Sequence, residues 1–463
     1  MKLALVVFLG LACVVYGQQA GTQTEEVHLS MPIQNCESGS CSSESTSIVL
    51  DSNWRWAHAI DDYTNCYDGN EWIEEYCPDA ATCTENCAID GVDDASWSST
   101  YGISSSGDGI TLTFVTEGTY STNIGSRVYL LASDTAYRMF YLLNREFTID
   151  IDSSNLPCGL NGAVYFVEME EDGGMGSYST NTAGAEYGTG YCDAQCPHDM
   201  KFIAGQANSD DWVPSEDDQN AGTGKYGICC FEMDIWEANS MAQSFTTHSC
   251  SVSGYYPCEG TECGDNGSDR YSGVCDKDGC DWAAYRLNQK DFYGSGMTVD
   301  SSQTITIVTQ FIASGGDNGQ LSEVRRIYVQ GGQEIQNTVV NWDGVTEYDS
   351  ITSEYCDEIK DFFGDEPDFQ AKGGLQAMGE SLSRGHVLVM SLWDDHYAHM
   401  LWLDSSYPTE DDPSTPGVAR GPCPTDGGDP AVIEQENPGA TVTFSNVQIG
   451  PIGSYKSRLA PSK

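Results

Sequence analysis

Apolar and polar positions alternate with period two along much of this chain, the pattern of half-buried strands. The runs 110–114, 147–151, 163–167, 304–307, 386–393 and 441–444 alternate or stay apolar between turn residues. Residues 324–335, broken by Gly331-Gly332, read as a hairpin. Helical periodicity is scarce. Its best case is Ser353 to Phe363, a surface helix with Ser353 as N-cap and Tyr355, Ile359 and Phe362 on one face. Many strands, 49 glycines and little helix predict an all-β fold of two packed antiparallel sheets.

The same alternation turns chemical at 229–239, Cys-Cys-Phe-Glu-Met-Asp-Ile-Trp-Glu-Ala-Asn. Phe231, Met233 and Ile235 point to one face of a strand, Glu232 and Asp234 to the other. Glu237 is five positions beyond Glu232, so strict alternation drives it to the apolar side, where an unpaired charge is very costly. A one-residue bulge between Asp234 and Glu237 returns it to the carboxylate face. The Glu232 and Glu237 backbones then stand roughly 13 Å apart, and inward-leaning side chains close the gap to about 5–6 Å. That is the separation a retaining glycosidase uses, with one carboxylate to attack the anomeric carbon and one carboxylic acid to protonate the leaving oxygen. Asp234, between them, holds the nucleophile, and its charge is expected to keep the neighbouring acid protonated. The competing reading is a solvated acidic strand face.

Acidity pervades the chain, whose formal charge is −50. A polyanion repels nucleic acid and anionic membranes, so neither is an expected partner, and a neutral substrate is favoured. The charge suits solubility or a salty medium that screens self-repulsion. Residues 1–17 read as a secretory leader, with Lys2, an apolar run over 3–15 and a small-residue cleavage site at Val15-Tyr16-Gly17. Its removal takes the charge from −50 to −51 and the cysteines from 19 to 18, an even number that points to nine disulfides in a secreted chain. No later segment has the roughly 20 apolar residues of a membrane helix. No Pro/Ser/Thr-rich linker interrupts the rest, so 18–453 is expected to be one domain, with a short tail over 454–463.

Long polar connections at 63–94, 205–227 and 251–281, whose entropy disulfides would limit, could wall or roof a groove. Trp54 and Trp56 sit at i and i+2 and so share a face. Trp282, Trp393 and Trp402 lie beside Asp281, Asp394 and Asp404, a pairing suited to a sugar ring's CH-rich face and its hydroxyls, although each could equally be core. Other motifs fail. Residues 222–227 match GxGxxG but lead into a strand. Asp276-Lys277-Asp278-Gly279 places Gly fourth where a calcium loop needs it sixth. His396 and His399 lack a convincing third ligand. Asn266 begins a glycosylation sequon. No metal or cofactor is expected.

Four long motifs, 232–239 (Glu-Met-Asp-Ile-Trp-Glu-Ala-Asn), 155–162 (Asn-Leu-Pro-Cys-Gly-Leu-Asn-Gly), 190–197 (Gly-Tyr-Cys-Asp-Ala-Gln-Cys-Pro) and 391–395 (Ser-Leu-Trp-Asp-Asp), closely resemble the family 7 glycoside hydrolases, known as secreted cellulases. The resemblance implies a β-jelly-roll sandwich with a cellulose-binding cleft, Glu232 as nucleophile, Glu237 as acid/base, Asp234 orienting the nucleophile and His248 in support. It places Trp54 and Trp56 at a tunnel entrance, Trp56 being the better platform, with Trp393 and Trp402 flanking the cleavage point. Arg127, Asn161, Tyr165, Asp193, Gln195 and Lys201 then lie along the substrate path. Arg270, Asp278, Asp281, Arg286 and Arg420 hold the departing disaccharide.

Retention of the long segments 205–227 and 251–281 implies a roofed cellobiohydrolase, a monomer releasing cellobiose processively from reducing ends of cellulose. An open-cleft endoglucanase and a non-catalytic lectin of the same fold are the rivals. The chain departs from the family in ending at Lys463 without a cellulose-binding module, and in carrying Gly21 and Ala88 where a tenth disulfide is expected.

Overall fold

The structure, a computed structural model, describes residues 17–459 apart from 38–39, 61, 266–267 and 317–318. Most of the leader and the Asn266 sequon therefore lie outside the described residues.

Two large sheets form a sandwich. One runs in the order Leu29–Ser30, Ser47–Leu50, Ser126–Ser133, His386–Asp394, Leu160–Val167, Glu232–Ala238, Gln243–His248 and Cys280–Ala283, antiparallel throughout. The other is built on Ile103–Ser106, Gly109–Thr113, Thr441–Pro451, Arg145–Asp152, Ile305–Ser314, Gln320–Gln330 and Gln333–Gln336. Each strand read from the sequence falls in one of these two sheets, usually longer than its apolar run.

Alternation sorts the side chains. Leu160, Val164 and Phe166 join Leu388, Met390 and Leu392 in the core between the sheets, while Ala163, Tyr165, Val167, Val387 and Val389 pack into a second cluster on the opposite face. Both faces of this sheet are thus covered, and Leu160–Val167 is buried along its whole length. The second cluster is the floor on which the long connections sit.

Gly331 and Gly332 take φ of 59° and 73° in the hairpin turn, where a side chain would be strained. The helix Ser353–Phe363 forms as expected, but its N-cap is Thr352, whose hydroxyl accepts from the Tyr355 N–H at 3.2 Å. Gly364 ends it in the left-handed conformation. A second helix, Gly374–Arg384, packs on Gln320–Gln330, and a Cβ at Gly379 would come within 2.7 Å of the Leu321 Cβ.

The 18 cysteines from Cys36 onward form nine disulfides. Two of them, Cys192–Cys230 and Cys196–Cys229, fasten the segment before the carboxylate strand to that strand's own beginning. Cys158–Cys423 and Cys280–Cys356 reach far along the chain, so the later part is stapled too.

Candidate active site

The carboxylate strand Glu232–Ala238 carries the bulge its charges require. Asp234 pairs with Thr246 and Glu237 with Ser244, three steps on one strand against two on its neighbour. On the other side Asp234 pairs with Tyr165 and Trp236 with Val164. The extra residue lets Ile235 and Trp236 both enter the core, and Glu237 rejoins Glu232 and Asp234 on the cleft face. A buried carboxylate without a partner costs far more than one lost ladder position, so the bulge is the cheaper arrangement.

Each carboxylate is held differently. Glu232 Oε2 accepts from the Ala194 N–H at 2.9 Å. Asp234 Oδ2 lies 3.1 Å from His248 Nε2, whose ring donates from Nδ1 to the Asp276 carbonyl at 2.9 Å. Glu237 Oε1 accepts from Asn161 Nδ2 at 3.0 Å, and Asn161 Oδ1 accepts from the Ala238 N–H. Burial, then Asp234, pushes the Glu232 carboxyl well up, and burial, then Glu237, does the same to Asp234. The Glu232/Asp234 pair therefore holds a proton that isolated carboxylates would shed.

Burial also pushes Glu237 up to about 7, with His248 and Asn161 opposing and Asp281 adding repulsion. Asp234 and Glu237 repel one another, and desolvation does most of the work in raising both.

Upstream of the carboxylates a polar chain lines the floor. Tyr165 and Tyr191 share a hydroxyl contact of 2.9 Å, and Tyr191 donates to Asp193 Oδ2 at 2.6 Å. Gln195 donates to the Lys277 carbonyl. Arg127 Nε donates to the buried Asp51 at 2.6 Å, while its guanidinium lies 3.3 Å from the Tyr191 ring centroid and 5.1 Å from that of Trp54. Lys201 donates to the Asn53 carbonyl, and burial pushes its ammonium down to about 8.

Downstream, Arg270 pairs with Asp278, and Arg286 bridges Asp281 and Asp365 at 2.6 and 2.7 Å. Arg420 faces the same carboxylates. Its Nε is buried without a hydrogen-bond partner, and burial, then Arg286, pushes its guanidinium down to about 10.

Trp393 and Trp402 stack at 6.3 Å between centroids, half-buried, and Trp402 Nε1 donates to Asp395. Trp54 and Trp56 do not share a face. Ser52–Trp54 is a helical turn, Arg55 between them is buried against Glu26, Trp54 leans on the core, and Trp56 stacks on His58 at 4.1 Å. Trp282 is the clear miss. It is fully buried opposite Phe245 and 4.7 Å from Tyr355, because alternation that turns Asp281 toward Thr246 and the cleft must turn Trp282 into the core.

Asp51, the Ala194 N–H, the Asp276 carbonyl and Asp365 also hold site residues. They meet their partners only through the fold, and no local pattern marks them. Asp278 spends its carboxylate on Arg270, and the GxGxxG match runs into the strand Tyr226–Cys229.

A segment over 212–223, paired as the short hairpin Val213–Pro214 with Gly222–Thr223, is tethered at two places. Its Trp212 donates to the Asn70 carbonyl, Asn70 donates back to the Ser215 and Asp218 carbonyls, and its far edge meets His396, which donates from Nδ1 to the Asp217 carbonyl at 3.0 Å.

Fold and site together define a β-sandwich whose concave floor carries a bulged strand with three carboxylates. The chain belongs to glycosyl hydrolase family 7, whose model matches residues 20–455. It is 66% identical over 456 residues to exoglucanase GH7B of Limnoria quadripunctata, covering 98% of this chain and 100% of that one. A family 7 cellobiohydrolase from Daphnia pulex superposes with a TM-score of 0.93 at 57% identity, over 94% of this chain and 99% of that one. A Melanocarpus albomyces cellobiohydrolase complexed with cellotetraose superposes with a TM-score of 0.89 at 46% identity, over 94% and 99% of the two chains.

Proposed function

We propose that this protein hydrolyses β-1,4-glucosidic bonds of cellulose with retention of configuration, releasing cellobiose processively from reducing chain ends. The observation that carries this is the pair of differently held carboxyls on one bulged strand, with Glu237 pushed up to about 7 and Glu232 anchored to the Ala194 N–H. Glu237 gives its proton to the glycosidic oxygen while Glu232 attacks the anomeric carbon and forms a glycosyl-enzyme. Glu237, now ionised, takes a proton from water as that ester is hydrolysed. Glu232 and Asp234 share the pair's extra proton, leaving an ionised oxygen to attack, and His248 Nε2, 3.1 Å from Asp234 Oδ2, holds Asp234 in place.

The arginine and carboxylate pairs downstream offer donors and acceptors to a departing disaccharide. Trp54, Trp393 and Trp402 offer stacking faces, which hold a chain with little barrier to sliding. Segment 212–223, tethered at both sides, supports a roofed path over an endoglucanase's open cleft. A lectin has no use for a carboxyl held near 7. Among the described residues no helix is long and apolar enough to cross a membrane, and with nine disulfides this supports a secreted single domain after loss of residues 1–17.

The test is the soluble product profile on microcrystalline cellulose for wild type beside Glu237→Gln. Cellobiose from the earliest times with a strongly impaired variant is expected. A spread of longer oligomers would make the enzyme an endoglucanase, and no sugar release would favour the lectin.

A further inference from the structure

Outside the carboxylate cleft, four potential metal ligands from three distant segments meet at one point. His396 Nε2 lies 3.7 Å from Glu434 Oε1, 3.9 Å from Asp218 Oδ2 and 4.0 Å from Asp394 Oδ2. Asp394 ends the strand His386–Asp394, Glu434 belongs to the helix Pro430–Glu436, and Asp218 comes from segment 212–223. His399, the other half of the HxxH spacing, is not needed. The other ligands are Asp394, two residues before His396, and Asp218 and Glu434 from distant segments.

Three features separate this cluster from an ordinary acidic patch. The Asp394 side chain is only 7% exposed, and its Oδ2, directed at the imidazole, has no hydrogen-bond partner. The His396 Nδ1–H is committed to the Asp217 carbonyl, so Nε2 is the ring nitrogen turned to the carboxylates, the orientation a second-shell carbonyl gives a metal-bound histidine. Among the described residues, none of the three carboxylates pairs with Lys or Arg.

The spacing points the same way. A charge-assisted hydrogen bond would bring these atoms to ~2.8 Å. Separations of 3.7–4.0 Å are too long for that, yet they are within a few tenths of an ångström of the ~3.3–3.6 Å between ligand atoms around a tetrahedral zinc with bonds of ~2.0–2.2 Å. Asp218 is held in register by its own neighbours: Oδ1 accepts from the Asn220 N–H at 2.7 Å, leaving Oδ2 to face His396.

We propose that His396, Asp218, Asp394 and Glu434 bind one divalent cation of the zinc type, tying segment 212–223 to the wall beside it. One imidazole nitrogen among carboxylate oxygens suits zinc or manganese better than calcium, whose sites are built from oxygen. The rival is a proton shared between Asp394 and Glu434, which would need no ion.

The test is calorimetric titration of the chelator-treated full-length protein with zinc chloride, in about 0.2 M sodium chloride to screen the chain's general negative charge. Calcium chloride is titrated in parallel, and His396→Ala and Glu434→Gln serve as variants. One zinc per chain is expected, weakened at least ~30-fold by either substitution, with nitrogen and oxygen but no sulfur around the metal by X-ray absorption. No saturable binding, binding undiminished in His396→Ala, or calcium bound as tightly as zinc would each overturn the site. Circular dichroism of both variants shows whether a loss of binding reflects a lost ligand or a lost fold.

Discussion

Replacing Glu237 by Gln preserves the side chain's size and its bond from Asn161 while removing the exchangeable proton. With the carboxyl pushed up to about 7 from an ordinary 4.5, ~90% of molecules carry the acid at pH 6 against ~3% otherwise, so the cleft raises the competent fraction ~30-fold. Loss of general acid catalysis should lower kcat on cellulose by ~10²–10⁴. An aryl cellobioside with a strongly acidic phenol needs no proton to depart, so its first step should survive. The glycosyl-enzyme would then hydrolyse slowly for want of a base, giving a burst of phenol followed by slow turnover.

In the wild type kcat/KM should fall as pH rises through about 7, and in the variant that limb should vanish. Stability follows the same sign. A carboxyl raised by folding contributes fully below about 4.5, and that contribution is lost as pH rises through about 7. The variant should therefore match or exceed wild-type stability at pH 8, by roughly 1–3 kcal/mol, a range set below the full linkage value because the side chain is only half-buried. Absence of a burst, or an unchanged alkaline limb, would refute Glu237 as the acid.

Trp282→Ala should cost about 3–5 kcal/mol in denaturant unfolding, as a core cavity does, whereas Trp402→Ala should barely change stability and should weaken cello-oligosaccharide binding. The reverse pattern would restore Trp282 to the cleft. Asp51→Asn leaves the Arg127 guanidinium buried without its counter-charge, so a loss of about 3–5 kcal/mol is expected by the same measurement, and a neutral result would mean the pair is dispensable. Because the formal charge is −50, melting temperature should rise from low salt to seawater-like salt, and a flat profile would count against a screening role.

Much of this was legible in the chain. Alternation fixed which residues of 231–235 face the core, and the prohibition on burying a lone charge demanded the bulge that brings Glu237 beside Glu232 and Asp234. The helix Ser353–Phe363 and the Gly331-Gly332 turn followed from local periodicity and φ preference, rules that act within a few residues. Trp282 is adjacent to Asp281 in sequence, but the same alternation that turns Asp281 to the cleft turns Trp282 into the core.

What the sequence could not determine was every relation between segments far apart. Asp51 reaches Arg127 across 76 residues, Ala194 holds Glu232 across 38, and Asp218 meets His396 only where segment 212–223 lands. Local pattern sets the direction in which a side chain points. The partner it finds, and hence whether its carboxyl keeps its proton, depends on desolvation and charge summed over neighbours that only tertiary packing brings within a few ångströms.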